Sequence, residues 1–130
     1  MVLLMTAIML ITAGCGKSEA EREEKAMFQK ITMEEAKVMM AEQENYILLD
    51  VRTQEEYQNG HIPGAICVPN EEIGSTEPEE LPDKEQLILV YCRSGNRSKQ
   101  AAEKLAKLGY RNIVEFGGIN DWDGEIETEN

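Results

Sequence analysis

The residues of this chain best suited to covalent chemistry on an anion meet in one short stretch, Val90-Tyr91-Cys92-Arg93-Ser94-Gly95-Asn96-Arg97-Ser98. An apolar run, Leu87 to Tyr91, stops at Cys92, and five small or polar residues follow. A helical pattern then runs from Ser98 to Leu108 and closes at Gly109. This order predicts a strand, a tight loop and a helix, with Cys92 at the first loop position. Such a loop turns successive backbone N–H groups inward and sits on a helix N-terminus, which together make a seat for an anion. In that setting the thiolate of a cysteine is favoured over the thiol, and the thiolate is the nucleophile. Arg93 and Arg97 add positive charge beside it. From these residues alone two readings stand: a nucleophilic Cys92, or a cysteine that ends a buried strand, since free cysteine is commonly buried.

The neighbouring elements must position that loop. Phe28 to Ile31 alternates apolar and polar residues, as a short strand does. Thr32-Met33-Glu34-Glu35 is a capping box that opens a helix, with Met33, Ala36, Met39 and Met40 at helical spacing as core filler. Tyr46 to Leu49 reads as a central parallel strand. Asp50 and Arg52 follow at its carboxyl end, where open α/β sheets bind ligands. The pair serves either direct chemistry or a salt bridge that fixes the loop. Thr53-Gln54-Glu55-Glu56 is a second capping box, for a short helix to Gln58 that Asn59-Gly60 ends. His61-Ile62-Pro63-Gly64 turns the chain into a strand, Ala65 to Val68. His61, the single histidine, could act as a general acid or base, but a lone histidine beside a turn is more often a hydrogen-bonding brace. Cys67 reads as a small buried hydrophobe; its place inside a strand argues against a resolving role toward Cys92. Pro69 to Lys84 is a loop region with one helical turn near Asn70 to Ile73. Behind Cys92, Ala101, Ala102, Leu105 and Leu108 form the apolar face of the long helix, and Gly109 is its expected C′ residue. Asn112 to Phe116 is a further strand, and Gly117-Gly118 turns the chain into a short helical segment holding Trp122.

The 130 residues suffice for one domain. A formal net charge of −12 argues against nucleic acid as a partner and against polybasic attachment to lipid. The three cysteines, Cys15, Cys67 and Cys92, show no metal-ligand spacing, so neither a metal nor a cofactor is expected. Met1 to Gly14 is uncharged, mostly apolar and too short to span a bilayer as a lone helix. It ends in Thr12-Ala13-Gly14 directly before Cys15, which is similar to a bacterial lipoprotein signal. It departs from that signal in two ways: Thr12 stands where leucine is usual, and no Lys or Arg opens the chain. An ordinary cleaved signal and an uncleaved anchor are the alternatives. The resemblance implies a signal peptide over 1–14 and a lipidated Cys15 followed by a polar tether to residue 27. A folded domain over 28–124 and an acidic tail over 125–130 complete the expected organisation. The protein is then exported and lipid-anchored to the outer face of the bacterial cytoplasmic membrane.

Three separated motifs in order carry a further resemblance. Cys92-Arg93-Ser94-Gly95-Asn96-Arg97-Ser98 is similar to the active-site loop of single-domain rhodaneses, the sulfurtransferases. Leu49-Asp50-Val51-Arg52, Glu55-Glu56-Tyr57 and Gly60-His61-Ile62-Pro63-Gly64-Ala65 are similar to that family's N-terminal signature. Leu108-Gly109-Tyr110, Gly117-Gly118-Ile119 and Trp122 are similar to its C-terminal one. The resemblance spans roughly residues 28–124. It implies a rhodanese-like α/β fold, a central parallel sheet of about five strands with helices on both faces. It also implies ping-pong transfer of a sulfane sulfur through a Cys92 persulfide. The donor would be thiosulfate or a persulfide, and the acceptor a thiol, a protein or, in an assay, cyanide. Cys92 would be the nucleophile and Arg93, Ser94, Gly95, Asn96, Arg97 and Ser98 the substrate-binding loop, with Asp50, Arg52 and His61 as supports. No hydrophobic helix face is left over, so a monomer is expected. Two rivals are weighed. One is cysteine-dependent phosphatase or arsenate-reductase chemistry, whose loop is one residue longer than the four residues between Cys92 and Arg97. The other is a non-catalytic, membrane-anchored partner-binding module, against which the intact Cys92 argues.

Overall fold

The structure, a computed structural model, describes residues 28–129. The expected signal peptide, Cys15 with its tether, and Asn130 lie outside those residues. Five strands form one sheet: β1 (Gln29–Lys30), β2 (Tyr46–Asp50), β3 (Ile66–Cys67), β4 (Leu87–Cys92) and β5 (Ile113–Gly118). Their order is β1-β5-β4-β2-β3, and every neighbouring pair is parallel. Among the described residues three α-helices connect them: α1 (Met33–Glu42), α2 (Gln54–Asn59) and α3 (Asn96–Lys107). Short 3-10 turns stand at Asn70–Glu72 and Ile119–Asp121.

The apolar run of β4 is continuous because both of its faces are covered. Ile88, Val90 and Cys92 point into one cluster with Ala101, Ala102 and Leu105 of α3. Leu89 and Tyr91 point into another with Ala36 of α1, against which Met33, Met39 and Met40 pack partly buried. The parallel sheet with helices on both faces is therefore the one the sequence pattern implies. Both capping boxes form, Thr32 with Glu35 and Thr53 with Glu56. Ile73 and Leu81 anchor the long connection between β3 and β4 in the α3-side cluster.

Element ends differ from the sequence pattern at several places, and three of them shape the site. Cys92 is the last residue of β4 rather than the first of the loop, because it still pairs with Gly118. The α3 helix begins at Asn96, not Ser98, so the last three residues of the motif, Asn96, Arg97 and Ser98, are helix. Gly95 caps it with a left-handed φ of 114° and no side-chain hydrogen bond. The last strand continues through Gly117 and Gly118 instead of stopping at Phe116. Gly118 is needed there because a Cβ would stand 2.0 Å from the Arg93 carbonyl oxygen. The outer strands are also shorter than the sequence pattern, β1 at 29–30 and β3 at 66–67. The stretch read as an acidic tail is tied down over 125–129: Glu127 bridges His61 in antiparallel fashion, and Glu129 N–H donates to the Gln58 carbonyl.

Candidate active site

Cys92 leaves the sheet at the carboxyl end of its central strand and is 1% exposed. The chain then doubles back at once: Gly95 N–H donates to Cys92 Sγ at 3.0 Å, and Ser98 Oγ lies 3.4 Å from the same sulfur. Burial raises the thiol's proton affinity, but hydrogen bonds from the Ser98 hydroxyl and from the Ser98, Gly95 and Ser94 backbone N–H groups outweigh it. The net result holds Cys92 below the ordinary thiol value. A buried sulfur with inward-facing N–H donors at the start of a twelve-residue helix has the surroundings that a cysteine nucleophile requires.

Beneath that sulfur lies a residue that sequence reasoning missed. Glu115 is fully buried on β5, within the otherwise apolar run Ile113-Val114-Glu115-Phe116. Its Oε2 accepts from Ser98 Oγ at 2.6 Å and from Gly117 N–H at 2.8 Å. Its Oε1 faces Lys30 Nζ at 3.4 Å, from the in-register position on β1. The signal that could have found it is a lone carboxylate in a strand with both faces buried, where an unpartnered charge is prohibitively costly.

The two arginines of the motif diverge. Arg97 meets Glu56 in a two-pronged ion pair, Nη1 to Oε1 at 2.9 Å and Nη2 to Oε2 at 3.1 Å. That guanidinium, with the Thr53 hydrogen bonds of the capping box, holds the Glu56 carboxyl down at about 2. Arg97 thereby locks the start of α3 to the start of α2, in addition to lending charge to the sulfur. Arg93 is exposed, as are Ser94 and Asn96. The Arg93 carbonyl accepts from Asn120 N–H at 3.1 Å, which pins the first loop peptide across Gly118.

The three expected supports gather on the opposite face of the sheet. Asp50 takes Arg52 Nε and Nη2 at 3.0 and 2.7 Å, and Arg52 Nη2 also donates to the Gly60 carbonyl at 2.7 Å. Tyr91 Oη donates to Asp50 at 2.8 Å, and Ile62 N–H donates to Tyr91 Oη at 3.1 Å. This network braces the turn after α2. His61 is 1% exposed, stacks on Tyr57 at 3.8 Å and makes its Nδ1 hydrogen bond to the Tyr57 carbonyl at 2.8 Å. Cys67, in register with Asp50, is half-buried on that same face. Burial and the Asp50 charge push its thiol up to about 12. Among the described residues no cluster of His, Cys, Asp or Glu is arranged to hold a metal.

The fold and this loop define a class: the chain belongs to the rhodanese-like domain family, whose sequence pattern matches residues 32–125. Among particular relatives it is 40% identical over 73 residues to the thiosulfate sulfurtransferase PspE of Escherichia coli, covering 56% of this chain and 70% of that one. It is 36% identical over 97 residues to a sulfurtransferase of Allochromatium vinosum, covering 74% and 89%. A rhodanese-like domain protein from Staphylococcus aureus superposes with a TM-score of 0.66 at 31% identity, over 78% of this chain and 99% of that one. Some relatives are larger: the chain spans 58% of the putative sulfur carrier protein YrkF of Bacillus subtilis.

Proposed function

We propose that the protein is a sulfurtransferase that carries a sulfane sulfur on Cys92. The observation that supports this most directly is the Cys92 sulfur itself, buried, held below the ordinary thiol value and met by Gly95 N–H at 3.0 Å. In the first step the Cys92 thiolate attacks the outer sulfur of thiosulfate or of a persulfide. A bond forms between Cys92 Sγ and that sulfur as the donor's own sulfur–sulfur bond breaks, and sulfite or a thiolate leaves with the electron pair. In the second step an acceptor thiolate, or cyanide, takes the outer sulfur and Cys92 departs as thiolate. The loop N–H groups from Arg93 to Ser98 steady the anion in each state, and Arg93, exposed at the mouth, engages the donor's oxygens. Asp50, Arg52 and His61 support the loop from the far side of the sheet. The naming of relatives as sulfurtransferases favours this reading over phosphatase chemistry. The lipoprotein-like leader supports a domain that works outside the cytoplasm, tethered through lipid on Cys15, and the lack of a left-over hydrophobic helix face in the sequence pattern supports a monomer.

The test is an intact mass after brief incubation with thiosulfate and, separately, with a low-molecular-weight persulfide. The expected result is a gain of one sulfur atom, lost on adding cyanide and absent from Cys92→Ser. No gain from either donor would overturn sulfur transfer in favour of a binding module.

A further inference from the structure

A buried carboxylate is costly, and a hydrogen-bond anchor does not need one. An amide oxygen would accept from the Ser98 hydroxyl and Gly117 N–H as well as Glu115 does. The chain nevertheless places an ionisable carboxyl two hydrogen bonds from the reacting sulfur, with Ser98 Oγ 2.6 Å from Glu115 Oε2 and 3.4 Å from Cys92 Sγ. The Ser98 hydroxyl has one proton; besides Glu115 Oε2 and Cys92 Sγ it faces the Gly95 and Gly117 carbonyl oxygens at 3.1 and 3.3 Å, both longer contacts than the 2.6 Å one to the carboxylate. When that proton points to Glu115, the sulfur is served by its own S–H, donated to Ser98 Oγ. When it points to a Cys92 thiolate, the 2.6 Å contact is satisfied only if Glu115 carries a proton and donates it to Ser98 Oγ.

We propose that Glu115 is a positioning residue that takes up the Cys92 proton through Ser98 when the thiolate forms, and returns it when the thiol is restored. The Cys92 S–H bond breaks as a Ser98 O–H bond forms, and the original Ser98 proton passes to Glu115 Oε2. No electron changes owner between groups and the total charge is constant; negative charge moves from the carboxyl to the sulfur. The charged neighbours fit this exchange. Lys30 Nζ, from β1, is the one ion-pair partner of Glu115 among the described residues, at 3.4 Å, and it is largely exposed. On the sulfur side, Arg97 stands within electrostatic reach and is itself matched by Glu56. In this exchange negative charge leaves the buried carboxyl as it forms on the sulfur, so the two anions do not face each other across Ser98.

The inference rests on Cys92 being the nucleophile, and its test reads alkylation rather than sulfur transfer, so either can fail alone. Iodoacetamide labelling of Cys92, followed by peptide mass from about pH 5 to 9, is compared between the wild type and Glu115→Gln, with Glu115→Asp as the conservative variant. The wild type should keep a flat shoulder of reactivity on the acid side, because internal proton transfer does not depend on pH. In Glu115→Gln the shoulder should fall roughly tenfold, with reactivity near pH 9 held within about twofold, and Glu115→Asp should restore part of it. A profile merely scaled at every pH would reduce Glu115 to a structural anchor and overturn the proposal. Infrared spectra near pH 7 give a measurement that does not depend on the Glu115 variants folding. A protonated-carboxyl band present in the wild type and missing from Cys92→Ser is expected; identical bands in both would equally overturn it.

Discussion

Cys92 and Cys67 are chemically alike and physically opposite. One is drawn toward thiolate by N–H donors, and the other is pushed up to about 12 by burial and by Asp50. Cys92→Ser should abolish sulfur loading, while Cys67→Ser should leave most of it, measured as mass gain with thiosulfate. Equal damage from Cys67→Ser in a folded protein would show that the far face takes part. A second residue-scale prediction concerns Glu56, whose carboxyl titrates near 2 in the fold against an ordinary 4.5. A depressed value means the ion pair stabilises above about 4.5 and is lost as pH falls through about 2. Glu56→Gln keeps the capping box but should cost about 1 kcal/mol near pH 7, an amount discounted for partial exposure. Thermal unfolding should show that gap closing below about pH 3. Range in sequence explains which contacts were legible. Thr53 and Glu56 are three residues apart and Asp50 and Arg52 two, so spacing alone announces them. Glu56 and Arg97 are 41 apart, and Ser98 and Glu115 are 17 apart, so their meeting depends on strand register that no local pattern encodes.

At the scale of elements, the site is the junction of β4, α3 and the end of β5. The sequence pattern located the first two, because an apolar run and an amphipathic helix are strong periodic signals. It ended the third too early, since a Gly-Gly pair ordinarily reads as a turn. Here the pair stays in the strand so that the loop backbone can lie against it. The consequence is testable. At Gly118 a Cβ would stand 2.0 Å from the Arg93 carbonyl oxygen and 2.5 Å from Ser94 N. Gly118→Ala should therefore cost about 1–3 kcal/mol. It should also slow Cys92 alkylation at neutral pH, because Ser94 N–H is one of the donors that hold the thiol down. Gly74→Ala, which meets nothing within 4 Å and has no left-handed φ to accommodate, should change stability by less than about 0.5 kcal/mol. If both variants behave alike, the close approach of loop to strand is not what makes Gly118 necessary.

The molecule as a whole works against the donor proposed for it. The chain carries a formal charge of −12, and thiosulfate is a dianion, so the long-range field repels the donor that the proposed reaction brings to the loop. The loop N–H groups act at contact, where salt screens weakly, whereas the global field acts across solvent, where salt screens strongly. The two can be separated by ionic strength. Raising it from about 0.01 to 0.15 M shortens the Debye length from about 30 to 8 Å. The kcat/KM for thiosulfate should then rise several-fold, most of it through a lower KM. Alkylation of Cys92 by uncharged iodoacetamide should not move over the same range, which separates the field from any change in the thiol. A fall in kcat/KM would mean that Arg93 and its neighbours at the mouth, not the net charge, govern approach. Neutralising Arg93 as Arg93→Gln should then remove the salt dependence altogether.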